Sequence, residues 1–419
     1  MHAPSMSRTE VPWRSWMGEC RGSLGIRGCR DGLGSTVAPR YPDPHVSHRV
    51  ISTILRHDAK QTSYKIALLR ALNDAVLAYP DLRFDGRDVA VPLRALAESW
   101  VAYYWPFVAA GAPIDQGVRS RLGQRERHDL SFRPHLAELR RQWEAIYGPS
   151  DAAGGWHLVE HLRVPRHRDG YPAVFLKTYA ATLKQVRTAL AQPIQYAGPG
   201  RWSVFAKPAA LGALEGVAAL PGARADDVCV VVTADLWQAF RDVSLWVEAL
   251  CIHEWSLFTE RVAENAPRGV AYALLTERPH NRLPLQWERN QVDLLHAEGV
   301  RFSCPWTGRP LAPGGYDLDH VVPVSVHPFH ELWNLVPADP HFNQHGKRAR
   351  LAGPKALERA EPRLAATYAS YIRAAELDRA LRADVALRFA RAAAGPPEIA
   401  RAVVDLVASI ADARNLARF

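Results

Sequence analysis

An acid and an imidazole stand side by side at Asp319 and His320, and two amides and a lysine follow at Asn334, Asn343 and Lys347. Together these side chains could hydrolyse a phosphodiester. A neutral histidine near its ordinary pKa can take a proton from an attacking water. Carboxylate and amide oxygens are the hard donors that Mg²⁺ prefers, and it needs only one or two from protein because water and phosphate complete its shell. A lysine or arginine holds phosphate as a charged hydrogen-bond donor.

The elements that must position them can be read from the same stretch. Residues Tyr316 to Val322 alternate enough for a strand, which Pro323 stops. Successive strand residues face opposite sides. Asp319 and His320 can therefore share one site only if the strand end twists into a loop. Leu332 to Val336 reads as a second short strand with Asn334 near its start, and Asp339-Pro340 opens a helix with a carboxylate cap and a proline in the first turn. Asn343 and Lys347 then fall one turn apart on one helix face. The expectation is strand, loop, strand, helix.

Four linked motifs carry a resemblance: Cys304-Pro-Trp-Thr-Gly308, Tyr316-Asp-Leu-Asp319-His320-Val-Val-Pro323, Leu332-Trp-Asn334-Leu-Val-Pro337 and Asn343-Gln-His345-Gly-Lys347-Arg348. In this order they resemble the HNH endonuclease family, with its ββα-metal fold, in the branch with Asn at the last motif position and without zinc-binding cysteines. The resemblance covers residues 300–350 or so, about an eighth of the chain. It implies His320 as general base and Asp319 as metal ligand. It implies Asn334 as the residue that bonds backbone and shapes the loop of the base, Asn343 as second metal ligand, and Lys347 with Arg348 at phosphate. His345 is an alternative to Asn343. Cys304 has no partner cysteine and reads as packing. The implied cofactor is one divalent cation, Mg²⁺ first, with Mn²⁺, Ni²⁺ or Zn²⁺ as alternatives because His327, His330, His341 and His345 crowd the segment. The implied activity is endonucleolytic hydrolysis of DNA, with RNA as another possible substrate. The alternatives are a catalytically inactive HNH-like module that binds nucleic acid or a partner and, further off, a zinc metallopeptidase at His157, Glu160 and His161. Those three residues form an H-x-x-E-H pattern; its plainer reading is an exposed polar helix face.

The rest of the chain sets the scale. Its 419 residues are 48% hydrophobic and 23% charged, which excludes a disordered chain. No apolar run reaches the roughly 18 residues of a membrane helix. Five scattered cysteines with no C-x-x-C pair exclude a disulfide framework and a zinc ribbon. The net charge of +9 favours a polyanionic partner only slightly, because seven lysines against 45 arginines point to genomic base composition as much as to binding. From Lys347 onward, 14 basic residues face 8 acidic ones, either a phosphate-facing surface or a solvated helical face.

Apolar spacing predicts helices over 62–79, from Pro92 to Pro106, and over 134–147, 174–192, 236–263, 270–276 and 285–297, with a buried strand at 228–232. Trp237, Phe240, Trp246, Trp255 and Phe258 are expected in the core. Residues 1–46 show no apolar period and hold all three methionines, which suggests disorder or a start of translation further in; no secretory signal pattern is present, so a cytoplasmic protein is expected. The fold expected is mostly α, multi-helical, with a small α+β ββα-metal module in the C-terminal third. The expected divisions are 1–46, a helical domain at 47–267 that binds substrate or a protein partner, the nuclease module at 268–372, and a helical tail at 373–419.

Overall fold

The computed structural model describes residues 44–118, 129–198, 203–277, 285–327 and 329–419. The expectation for residues 1–46 lies, but for its last three positions, outside them. The chain is mostly helical with small sheets.

The first half opens with α1 (Pro44–Arg56), which the sequence reading did not predict, and α2 (Tyr64–Ala78). Strand β1 (Val89–Pro92) runs straight into α3 (Leu93–Tyr104). Pro92 is thus the last strand residue and the cap rather than part of the first helical turn. Helices α4 (Arg133–Tyr147) and α5 (Gly154–Arg163), the helical turn Pro165–Arg168, and α6 (Ala173–Tyr196) follow. Strands β2 (Ala209–Ala210), β3 (Ala218–Ala219) and β4 (Val228–Val232) join β1 in a four-stranded sheet of order β2-β4-β1-β3. β1 is antiparallel to β4, with Val89 opposite Val232, and parallel to β3. The long helix α7 (Ala234–Val262) bends at Val243, and α8 (Val270–Thr276) ends this half.

These elements enclose one core, running from Val50 to Leu275. Trp100, Tyr104, Phe107, Phe132, Trp237 and Trp255 are fully buried within it. Trp237, Phe240, Trp255 and Phe258 pack inward as their spacing suggests, but Trp246 does not: its ring is 71% exposed, three residues past the bend at Val243.

A second core runs from Val292 to Ala411. It holds α9 (Gln286–Ala297), β5 (Phe302–Ser303), β6 (Pro310–Leu311), β7 (Asp317–His320) and β8 (Leu335–Ala338). It also holds α10 (Pro354–Tyr371), α11 (Ala375–Phe389) and α12 (Pro396–Ala413). Residues 373–419 share this core with the strands. The chain end returns to them as well: Leu351 N–H donates to Ala417 O at 3.0 Å, and the Phe419 ring lies 5.6 Å from Trp306 and 5.4 Å from Phe342. No helix among the described residues is long and apolar enough to cross a membrane.

The seam between the two cores is charged. Arg166 donates to Asp384 at 2.7 Å, to Glu288 at 3.2 Å and to the His330 carbonyl at 2.8 Å. Arg388 donates to Asp81 at 2.7 Å and to Ala78 O at 3.2 Å. Such buried pairs are costly to break, because each charge left behind has lost its water.

Candidate functional site

β7 and β8 form an antiparallel hairpin in which Asp317, Leu318, Asp319 and His320 face Ala338, Pro337, Val336 and Leu335. The connecting loop ends in a 3-10 turn, Leu332–Asn334, so Asn334 lies just before the second strand rather than within it. A π-helical turn, Phe342–Lys347, follows. Its opening follows the Asp339-Pro340 signal: Asp339 Oδ1 accepts from the Phe342 N–H at 3.1 Å.

The hairpin stays regular through His320, and strand alternation therefore holds. The side chains of Asp319 and His320 consequently have different surroundings: Asp319 pairs with Lys347 and Trp306, and the His320 ring packs on that of His330. Asp319 sits on the face covered by the π turn. Its Oδ1 accepts from Lys347 Nζ at 2.8 Å and its Oδ2 from Trp306 Nε1 at 2.8 Å. Lys347 Nζ also donates to the His320 carbonyl at 2.7 Å and lies 5.9 Å from the Trp306 ring. Asp319 is 5% and Lys347 1% exposed. Burial pushes the Asp319 carboxyl up, against the pull of the ammonium beside it. Lys347, expected at phosphate, is thus the internal counter-charge of Asp319. Arg348 is exposed, with its backbone in the left-handed region at φ 53°.

Asn343 is on the same side, where its Nδ2 donates to Asp317 Oδ2 at 3.1 Å. His345, the alternative ligand, is exposed and its ring lies 4.9 Å from that of His341. The four further histidines do not converge. His327 meets Glu331 at 3.1 Å and His330 meets Glu160 at 3.1 Å, both buried, while His341 and His345 lie at the surface.

Asn334 matches its expected role. Its Oδ1 accepts from the Val322 N–H at 2.7 Å and its Nδ2 donates to the Val322 carbonyl at 3.0 Å, which ties down the chain two residues past His320. Cys304 is buried in the second core, and its backbone closes the turn to Gly308 and Arg309.

His320 is 6% exposed, and its Nε2 is buried without a hydrogen-bond partner. Its ring stands perpendicular to that of His330, with centroids 4.8 Å apart. Burial, with the Lys347 ammonium nearby, holds its pKa down at about 3, so the imidazole is neutral at physiological pH.

The H-x-x-E-H pattern is helical but not an exposed polar face. Helix α5 is pressed against α3 so closely that a Cβ on Gly155 would lie 2.9 Å from Ala102 Cα, and its Glu160 reaches the loop that carries His330. Glu160 is 2% exposed and accepts from the His330 N–H at 2.8 Å. His161 Nδ1 lies 2.9 Å from the Tyr171 hydroxyl. Glu160 is therefore committed to His330 instead of standing beside an open zinc position. The motif was visible in the sequence; its partner, His330, was hidden among the neighbouring histidines.

The divalent cation implied by the resemblance does not fit these side chains as they stand. Both Asp319 oxygens receive N–H donors, Asn343 is turned to Asp317, and among the described residues no three His, Cys, Asp or Glu side chains converge on one point. The cation at this carboxylate is an ammonium.

No curated protein and no solved structure matches the chain. One family does, over residues 45–275, more than half the chain and the same span that encloses the first core. The chain belongs to the family defined by a domain of unknown function, DUF8808.

Proposed function

We propose that this protein is an HNH-type endonuclease that hydrolyses DNA phosphodiester bonds with the β7–β8 module. The observation that carries the reading is the two-bond clamp of Asn334 on Val322, beside a buried neutral imidazole at the end of β7. A neutral histidine takes a proton from water as the water attacks phosphorus, most effectively near its ordinary pKa, so the bound anionic phosphate must raise His320 from about 3. The P–O3′ bond breaks, the 3′-oxygen takes a proton from solvent to become a hydroxyl, and the other product carries a 5′-phosphate. Arg348, exposed at the end of the π turn, is the cation placed to meet a phosphate. Asp319 is held by Lys347 and Trp306 and so is closed to a divalent ion as it stands. The helical region before the module would set the substrate or bind a protein partner.

The test is nicking of supercoiled plasmid by the full chain in Mg²⁺, in Mn²⁺ and in chelator. His320→Ala should abolish nicking; a variant that nicks at the wild-type rate removes His320 as base.

A second reading has an observation of its own. The closed Asp319–Lys347 pair and the burial of His320 favour an HNH-like module that binds nucleic acid or a partner without cleaving it. That reading expects a salt-sensitive gel shift and no nicking under any of the three conditions.

A further inference from the structure

The family domain and the nuclease-like module meet at one imidazole. His330 is held at three atoms by side chains of the first half: its N–H donates to Glu160 Oε1 at 2.8 Å, its carbonyl accepts from Arg166 Nη2 at 2.8 Å, and its Nε2 lies 3.1 Å from Glu160 Oε1. An imidazole nitrogen facing a buried carboxylate carries the proton, which leaves the other nitrogen as acceptor. In His330 that other nitrogen is Nδ1, and it is buried with no partner. The ring beside it is that of His320, whose own partnerless buried nitrogen is Nε2. Two buried nitrogens with unused hydrogen-bonding capacity therefore sit in one seam, and one of the two rings is fixed by Glu160. Orphaned buried groups call for an explanation, a bridging water or a catalytic role among them.

We propose that Glu160 and His330 are positioning residues for His320, so that a side chain of the DUF8808 domain sets the orientation and tautomer of the base in the module. Glu160 keeps the His330 proton on Nε2. The His330 ring packs edge-on against that of His320 with its Nδ1 left as an acceptor, and one water between the two orphaned nitrogens would favour the His320 proton on Nε2. This leaves His320 Nδ1 as the atom that accepts a proton from the attacking water. The pattern is carboxylate, histidine, working histidine, and it spans both halves of the chain. It also gives the H-x-x-E-H segment a use that zinc ligation does not: only its Glu is required.

This inference rests on the nuclease reading, and the experiment separates the two. Full-length wild type, Glu160→Gln, His330→Gln and His320→Ala are compared for plasmid nicking, with kcat and KM measured separately and Tm recorded for each. Glu160→Gln keeps the shape but offers an amide in place of a carboxylate. His330→Gln keeps a donor for Glu160 but removes the ring. Substitutions that misplace the support of a working imidazole typically cost about 10- to 100-fold in activity. The result expected is a fall of that size in kcat for both variants, with KM and Tm held. Wild-type kcat in both overturns the proposal while leaving His320 as base, provided His320→Ala is inactive. So does a loss of activity that only follows a lowered Tm. If Glu160→Gln fails to fold, His330→Gln decides alone. If wild type does not nick, or His320→Ala nicks normally, the nuclease reading falls and the proposal falls with it.

Discussion

Lys347 Nζ lies 2.8 Å from Asp319 Oδ1, and both side chains are buried under the Trp306 indole. This pair ties the π turn to β7 and neutralises a carboxylate that burial would otherwise force to protonate. Removing one partner from such a pair typically costs about 3–5 kcal/mol. Lys347→Met should lose that much in urea unfolding, and Asp319→Leu with Lys347→Met should recover much of it. A single variant with unchanged stability would show that the pair is open to water in solution.

Asn334→Ala removes both bonds to Val322. A buried N–H and a buried carbonyl are then left without partners, at roughly 1–3 kcal/mol each. We expect a stability loss of about 2–4 kcal/mol. Nicking should also fall more than the loss of folded protein explains. Asn334→Asp, which keeps the acceptor alone, should lie between the two in chemical denaturation.

Asp384 joins three parts of the structure. Its Oδ2 accepts from Arg166 Nη1 at 2.7 Å and from the Leu332 N–H at 2.8 Å. Asp384→Ala leaves the Arg166 charge short of a partner at the seam between the two cores. Thermal unfolding should shift down by several degrees, and protease cleavage between the two halves should become faster. An unchanged digestion pattern would mean that the seam does not depend on this carboxylate.

Buried histidines set an acid limit, His320 at about 3 among them. Burial holds His161 at about 4, with His167 nearby, and holds His330 at about 4, with His157 nearby. Unfolded histidine titrates near 6.5. A lowered folded value means the unfolded chain binds protons first, so this contribution is complete above pH 6.5 and is lost as pH falls through 6.5 towards 4. Tm should drop across that window, and His161→Gln should make the drop shallower. A Tm equally steep in the variant would assign the acid limit to other groups.

If the module binds DNA through arginines such as Arg348, affinity should fall linearly with salt on logarithmic axes as counterions are released. Arg348→Ala should lower the slope by about one unit of phosphate contact. An unchanged slope in fluorescence anisotropy would place the contact elsewhere.

Local order was largely legible in the sequence. The 3.6-residue spacing of apolar side chains located most helices to within a few residues, because a helix that must bury one stripe writes that stripe into its sequence. Helix α1 was missed although Val50, Ile51, Ile54 and Leu55 follow helical spacing and are buried as one stripe. The order of the hairpin and the turn after it was also legible, from Pro323, Asp339 and Pro340, whose backbone chemistry ends or starts elements locally. The clamp by Asn334 belongs here too, because its partner is only 12 residues away.

Which side chains meet was decided by the tertiary structure. Nothing near Lys347 in the chain says that its ammonium will be buried on Asp319, 28 residues earlier. Nothing near Glu160 says that it will accept from His330, 170 residues later. Such pairs depend on how two cores close on each other, and the cost of an unpaired buried charge then selects the partners. The alternation that sets Asp319 and His320 apart was readable from the strand. Which partners each of them meets was not, because Lys347, Trp306 and His330 are brought in by the π turn, the Cys304–Gly308 turn and the loop before β8.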